Sequence, residues 1–138
     1  MSTPDAAERG KFLIPTDYSE GSNFALDFAG RTLNGGELIA LHVCDVITND
    51  EVERLDTWLA ERGVDATPML RAGHPPDEIA KFAAEEGCEA IIMHEGKFGL
   101  LGMGSTSKRV VGQATVTVRV LRDHDGNNPI DMNLHGAL

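Results

Sequence analysis

Buried strands and amphipathic helices alternate along most of this chain, and that alternation limits the folds it can adopt. Three apolar runs, KFLIP, ELIALHV and CEAIIM, show no alternation with polar residues, which is typical of strands covered on both faces. The segments between them carry apolar residues at helical spacing, as in the pair Phe24 and Phe28. This order of elements predicts a parallel α/β sheet with right-handed crossovers.

Two further strands carry signs of an exposed edge. VDATPMLRAG contains Pro68, which has no N–H to donate to a neighbouring strand. TVTVRVL alternates valine with threonine and arginine, so one of its faces is only partly covered. The order 3-2-1-4-5 places both of these strands at the edges. We therefore predict a single-domain α/β protein, a three-layer sandwich with a five-stranded parallel sheet in order 3-2-1-4-5 and helices on both faces.

The composition is typical of one globular domain and disfavours two classes of binding partner. The chain has 138 residues, 41% of them hydrophobic, and a formal net charge of -10, which disfavours binding to nucleic acid or to an anionic membrane. No apolar stretch approaches the ~18 residues of a membrane-spanning helix, and the N-terminus lacks a signal-peptide pattern. We expect a cytoplasmic protein with a flexible leader at 1–10, a domain at 11–122 and a tail at 123–138. Cys44 and Cys88 lie in apolar runs and are predicted to be buried free thiols.

The predicted sheet order places a topological switch point between strands one and four, where α/β proteins bind ligands. Pro15-Thr16-Asp17 follows strand one, and a glycine-rich stretch from Met93 to Ser105 follows strand four. Asp17 can accept hydrogen bonds from a ligand or cap the next helix, and both interpretations stay open. Ser105 begins a helical run, and a helix N-terminus with free N–H groups attracts anions.

These segments together resemble the universal stress protein family, from about Lys11 to Arg122. The motifs that carry the resemblance are FLIPTD with SEGSNFALDFA, ELIALHV, RAGHPPDEIAKFA, CEAIIM and GSTSKRVVGQATVTVRVL. The resemblance implies the sheet order deduced above and a role in the stress response. It also implies a homodimer formed through the last strand, Thr115–Leu121, and an unidentified protein partner.

Some members of this family bind ATP, and the resemblance implies which residues of this chain would do so. Asp17 would hold the adenosine end, Val43 would meet the base, and the glycine-rich loop would wrap the ribose and phosphates. ATP, with Mg²⁺ or Mn²⁺, is the implied cofactor. The implied nucleotide-binding residues are Pro15, Thr16, Asp17, Val43, Met93, Gly96, Gly104, Ser105, Thr106 and Ser107.

The glycine-rich loop departs from the pattern of the ATP binders, Gly-x2-Gly-x9-Gly-Ser/Thr. The first glycine is absent, because Met93 is followed by His94 and Glu95, and seven residues separate Gly96 from Gly104. The Glu95 carboxylate repels phosphates unless a divalent ion intervenes. Three functions remain open: an ATP-binding regulatory module, a nucleotide-free stress dimer that acts through protein contacts, and a slow ATPase with His94 or Glu95 as its base.

Other chemistries find little support in the sequence. His42 lies in a buried strand and is expected to be a core histidine with satisfied ring nitrogens. The chain lacks the G-x-S-x-G and GxxxxGK[ST] motifs, and Asp17 lacks the cluster of acids that a phosphoacceptor domain needs. We therefore predict no catalytic residue and no metal ligand. The histidines without zinc-site spacing are His74, His94, His124 and His135.

Overall fold

A computed structural model describes residues 10–33, 35–94, 105–122 and 130–132 of the chain. Its strands are β1 (Lys11–Pro15), β2 (Glu37–Cys44), β3 (Thr67–Ala72), β4 (Ala90–His94), β5 (Thr117–Leu121) and β6 (Ile130–Met132). Its helices are α1 (Glu20–Thr32), α2 (Asn49–Arg62), α3 (Pro75–Glu85) and α4 (Ser105–Gln113).

The strands form one sheet in the order β3-β2-β1-β4-β5-β6. The first five are parallel to their neighbours, so the predicted five-stranded parallel sheet in order 3-2-1-4-5 is confirmed. Strand β3, which contains Pro68, lies at an edge as expected. The β1–β4 junction, where the strand order reverses, is the switch point on which the site prediction depends.

Strand β6 corrects the prediction that β5 is an edge. It pairs antiparallel with β5, with Val118 opposite Met132 and Val120 opposite Ile130. The half-covered face of β5 was the basis of the edge assignment, and Thr117 and Arg119 are indeed only half-buried. Coverage of a face and pairing of an edge are separate properties, however, and here the tail supplies the pairing.

Helices cover both faces of the sheet, as predicted. The alternation of β1 sends Phe12 and Ile14 to the face covered by α1 and α2, and sends Leu13 to the opposite face. Phe82 of α3 and Val110 of α4 pack on that second face. The chain therefore has a core on each side of a central sheet. The larger buried side chains of the two cores include Leu26, Leu55, Ile14, Leu13, Leu41, Ile91, Phe82 and Val118.

The two cysteines differ in their surroundings. Cys88 is a buried free thiol, and burial raises its pKa to about 11. Cys44, at the end of β2, is only half-buried, so the prediction of burial was wrong for this residue. In the part of the chain that the structure describes, no helix is long and apolar enough to cross a membrane.

Candidate functional site

A cleft of about 920 Å³ opens at the carboxyl ends of β1, β2 and β4, at the switch point. It brings together seven of the residues predicted from sequence: Pro15, Thr16, Asp17, Val43, Met93, Thr106 and Ser107. Ser105 is the first residue of α4. Gly96 and Gly104 lie outside the described residues. The proximity of the seven is a structural fact, and their role in binding stays a prediction.

The turn after β1 is fixed to β2 through Thr16, which is only 5% exposed. Its N–H donates to the carbonyl oxygen of Leu41 at 2.8 Å, and its own carbonyl accepts a 2.7 Å bond from Nδ1 of His42. Its hydroxyl accepts from the N–H of Tyr18 at 3.0 Å. Each polar group of Thr16 is thus engaged, which leaves this turn little freedom.

Asp17 follows directly and lines the cleft. Its Oδ1 accepts from the N–H of Ser19 at 3.0 Å and from the hydroxyl of Ser22 at 2.8 Å. Burial raises the pKa of Asp17, but the hydrogen bonds from Ser19 and Ser22 outweigh burial and hold this pKa below its usual value. The side chain is therefore an ionised acceptor at neutral pH.

The residue that caps the helix after β1 is Ser19 and not Asp17. Ser19 is the N-cap of α1, because its hydroxyl accepts from the N–H of Ser22 at 3.2 Å. Asp17 lies two residues earlier and supports the cap through its bonds to Ser19 and Ser22. The carboxylate stabilises the turn and still faces the cleft.

Tyr18 has a left-handed backbone, with φ of 66°, which is uncommon for a residue with a side chain. Its ring lies 4.7 Å from the His42 ring and makes an edge contact with Trp58 at 5.8 Å. The guanidinium of Arg54 lies over the same ring at 4.2 Å. Burial raises the pKa of Tyr18 to about 12, so the ring stays neutral. These contacts hold the strained residue in place.

His42 lines the cleft, which the sequence prediction missed. It was expected to be a satisfied core histidine, and its ring nitrogens do face partners: the Thr16 carbonyl and, at 3.3 Å, Oε2 of Glu51. The residue is half-buried because β2 carries it to the carboxyl end of the sheet. Its place between Leu41 and Val43, the residue predicted to meet the base, was the available signal.

His94, at the end of β4, lines the opposite wall of the cleft. Its ring makes an edge contact with Phe24 at 5.2 Å and lies against Gly21 of α1. A Cβ at Gly21 would come within 3.1 Å of His94 Nδ1. The missing first glycine of the loop was noted in the sequence, but that observation did not predict an imidazole packed on the start of α1.

The cleft has an apolar part and a charged part. Leu41, Val43 and Ile79 supply apolar surface. The charged or titratable lining residues are Asp17, Glu20, His42 and His94, with no lysine or arginine among the described lining residues. An anion that enters would depend on the N–H groups at the start of α4 or on an accompanying cation. The described residues hold no cluster of three potential metal ligands.

The doubly wound fold with a cleft at its switch point defines a class of proteins that bind ligands at that place. Within that class the family is clear: the sequence model of the universal stress protein family matches residues 49–122, more than half of the chain. The chain belongs to the universal stress protein family.

Individual relatives agree with this assignment. Universal stress protein MJ0577 of Methanocaldococcus jannaschii is 28% identical and aligns with 81% of this chain and 94% of its own length. Its solved structure superposes with a TM-score of 0.68 at 26% identity, covering 83% of this chain and 96% of that one.

Two more distant structures share the fold and were solved with nucleotides. The Archaeoglobus fulgidus universal stress protein in complex with dAMP has a TM-score of 0.64 at 21% identity, covering 80% of this chain and 96% of that chain. An Arabidopsis thaliana member of the family with AMP bound has a TM-score of 0.59 at 18% identity, covering 84% and 93%.

Proposed function

We propose that this chain is an adenine-nucleotide-binding regulatory module of the stress response. The observation that carries the proposal is the cleft, because it joins an ionised acceptor at Asp17, apolar surface at Val43 and the start of α4 at Thr106 and Ser107. Nucleotides combine a flat apolar base, hydroxyl donors and an anion, and these three features of the cleft match them in kind. The dAMP and AMP complexes of the two distant family members add support.

In this proposal each part of the cleft contacts a different part of the nucleotide. The base lies against Val43, Leu41 and Ile79, and the carboxylate of Asp17 accepts hydrogen bonds from the ribose hydroxyls. The phosphate lies at the N-terminus of α4, where unpaired N–H groups and the helix dipole favour negative charge. ATP is the ligand predicted from the family, with Mg²⁺ or Mn²⁺ to offset the carboxylates that line the cleft.

Isothermal titration with AMP, and with ATP in the presence and absence of Mg²⁺, tests the proposal. Asp17→Ala removes the acceptor and is expected to lower the affinity at least tenfold, about the effect of one lost charge-assisted hydrogen bond. Asp27→Ala is the matched control, since Asp27 pairs with Arg62 away from the cleft. No heat with the wild type, or equal losses in both variants, would contradict the proposal. Phosphate release over hours would favour the slow ATPase instead.

The proposed function includes a homodimer through the β5 side of the sheet, the surface predicted at Thr115–Leu121. Since β6 occupies the outer edge of β5, a second copy would pair with β6 or displace it. Light scattering of the full chain, and of a chain that ends at Arg122, separates the two cases. A dimer lost on truncation assigns the contact to β6, and a dimer retained assigns it to β5. If the full chain and the truncated chain were both monomeric, the proposed dimer would be wrong.

A further inference from the structure

A cluster of polar and aromatic side chains lies behind the β1 turn, between β2 and α2. It consists of Tyr18, His42, Glu51, Arg54 and Trp58, joined by the ring and ion contacts given above. Trp58 extends it to α1, because its indole N–H donates to the side-chain oxygen of Asn23 at 2.7 Å. None of these side chains contacts the nucleotide in the function proposed above, so the cluster has another role.

The hydrogen-bond partners of His42 define the role of its ring. A carbonyl oxygen only accepts, so the 2.7 Å contact with Thr16 requires that Nδ1 of His42 carries the hydrogen. The other ring nitrogen faces Oε2 of Glu51 at 3.3 Å. That carboxylate oxygen is buried and receives no hydrogen bond from the described residues, so the 3.3 Å approach is a contact and not a hydrogen bond. His42 therefore lies between the first turn of α2 and the β1 turn, and its hydrogen bond is to the turn.

We propose that His42 is a positioning residue for the cleft, holding the Thr16 carbonyl so that the next residue, Asp17, is presented to the ligand. The Thr16 N–H is already fixed to β2 through Leu41, and the bond from His42 fixes the other end of the same residue to the same strand. With both ends held, the Asp17 peptide has one orientation available. This role deepens the proposed function, and only its affinity readout depends on nucleotide binding.

Tyr18 explains why this turn needs to be held. Its left-handed backbone is a strained conformation that persists only when its surroundings impose it. The His42 ring packs on the Tyr18 ring, while the Tyr18 N–H is bound to the hydroxyl of Thr16. Loss of the hydrogen bond from His42 Nδ1 to the Thr16 carbonyl would let Tyr18 relax to a common backbone region and would rotate the adjacent Asp17 away from the cleft.

Two substitutions at one position separate the two ring nitrogens. In His42→Asn the amide N–H lies near the place of Nδ1 and can still donate to the Thr16 carbonyl. In His42→Gln the longer side chain carries the amide N–H to the place of Nε2, so the carbonyl loses its donor. Both variants remove the ring, so a role limited to packing would affect them alike.

Amide hydrogen exchange by NMR, measured without ligand, reads the turn directly. We expect the Tyr18 and Ser19 amides of His42→Gln to exchange about tenfold faster than in the wild type, and those of His42→Asn to keep most of their protection. The affinity for AMP should fall more in His42→Gln than in His42→Asn. Equal exchange in the two variants, or faster exchange in His42→Asn, would overturn the inference.

A measurement on the wild type guards against misfolding of His42→Gln. The ¹⁵N NMR signals of the His42 ring show which ring nitrogen carries the hydrogen, and we expect it on Nδ1, where the Thr16 carbonyl accepts it. A ring with no hydrogen on Nδ1 would overturn the inference even if His42→Gln could not be purified. If the wild type bound no AMP, the proposed function would fail, while the exchange comparison would still decide the role of His42.

Discussion

Thr16 and Thr106 lie on opposite walls of the same cleft and are held in different ways. Thr16 is buried and uses its N–H, carbonyl and hydroxyl in hydrogen bonds to Leu41, His42 and Tyr18. Thr106 is half-buried in the first turn of α4 and lines the cleft. The first wall is organised before any ligand arrives, while the second offers helix N–H groups and hydroxyls to a ligand.

We propose that the two walls have different roles in ligand binding. A preorganised wall lowers the ordering cost of binding and fixes orientation, which suits the recognition of a nucleoside. A helix N-terminus recognises an anion through its N–H groups and dipole without a dedicated cation. Substitutions that treat the two walls identically can test whether this division is real.

The largest difference in the free energy of unfolding is expected between two variants that each lose a threonine hydroxyl, one on each wall. Thr16→Val leaves the N–H of the half-buried Tyr18 without its acceptor, so the free energy of unfolding should fall by about 1.5 kcal/mol. Thr106→Val should change it by less than about 0.5 kcal/mol. Urea unfolding of the two variants measures the difference. Similar losses in both would show that the walls are held alike.

A smaller effect is expected where the walls touch, at Gly21 and His94. Replacing a glycine in a helix by alanine normally raises the free energy of unfolding by about 0.5–1 kcal/mol. Gly112→Ala in α4 should show such a gain, because a Cβ there meets nothing within 4 Å. Gly21→Ala should show none, since its Cβ must push the His94 ring aside. Thermal unfolding compares the pair, and equal gains would mean that the contact imposes no constraint.

The smallest effect concerns the charge of Asp17. Its pKa is lower in the folded chain than the usual value of an aspartate, so the ionised form stabilises the fold. That contribution is present at neutral pH and is lost as the pH falls through the folded pKa. Wild type should therefore be more stable than Asp17→Asn at pH 7, and the difference should narrow below about pH 4. A difference that stays constant over this range would contradict the pKa assignment.

The sheet order was predictable because burial leaves a strong pattern in sequence. Apolar runs without alternation mark the inner strands, and Pro68 marks the edge at β3. Strand β6 was not predictable, because three residues are too few to show a period and the sequence does not say which strand they join. Ile130 and Met132 are apolar, which favours packing, but two apolar residues do not define a strand.

The site was predictable in its location more than in its details. The switch point and the resemblance selected seven residues that line one cleft, and their role in binding stays a prediction. Asp17 and Ser19 could not be distinguished as caps, because both are common N-cap residues. His42 was missed as a lining residue for a different reason, and His94 was named only as a candidate base of the slow ATPase. Whether a histidine lies in the core or at the end of a strand depends on where the cleft opens, which only the assembled sheet defines.

The most direct test of the central claim is an NMR titration of the full chain with AMP, following the backbone amides. The account predicts that the largest shifts occur at Asp17, Val43, Met93, Thr106 and Ser107, on both walls of the cleft at the switch point. No shifts, or shifts confined to the polar concavity around Arg62 and Asp65 at a separate place on the molecule, would contradict it.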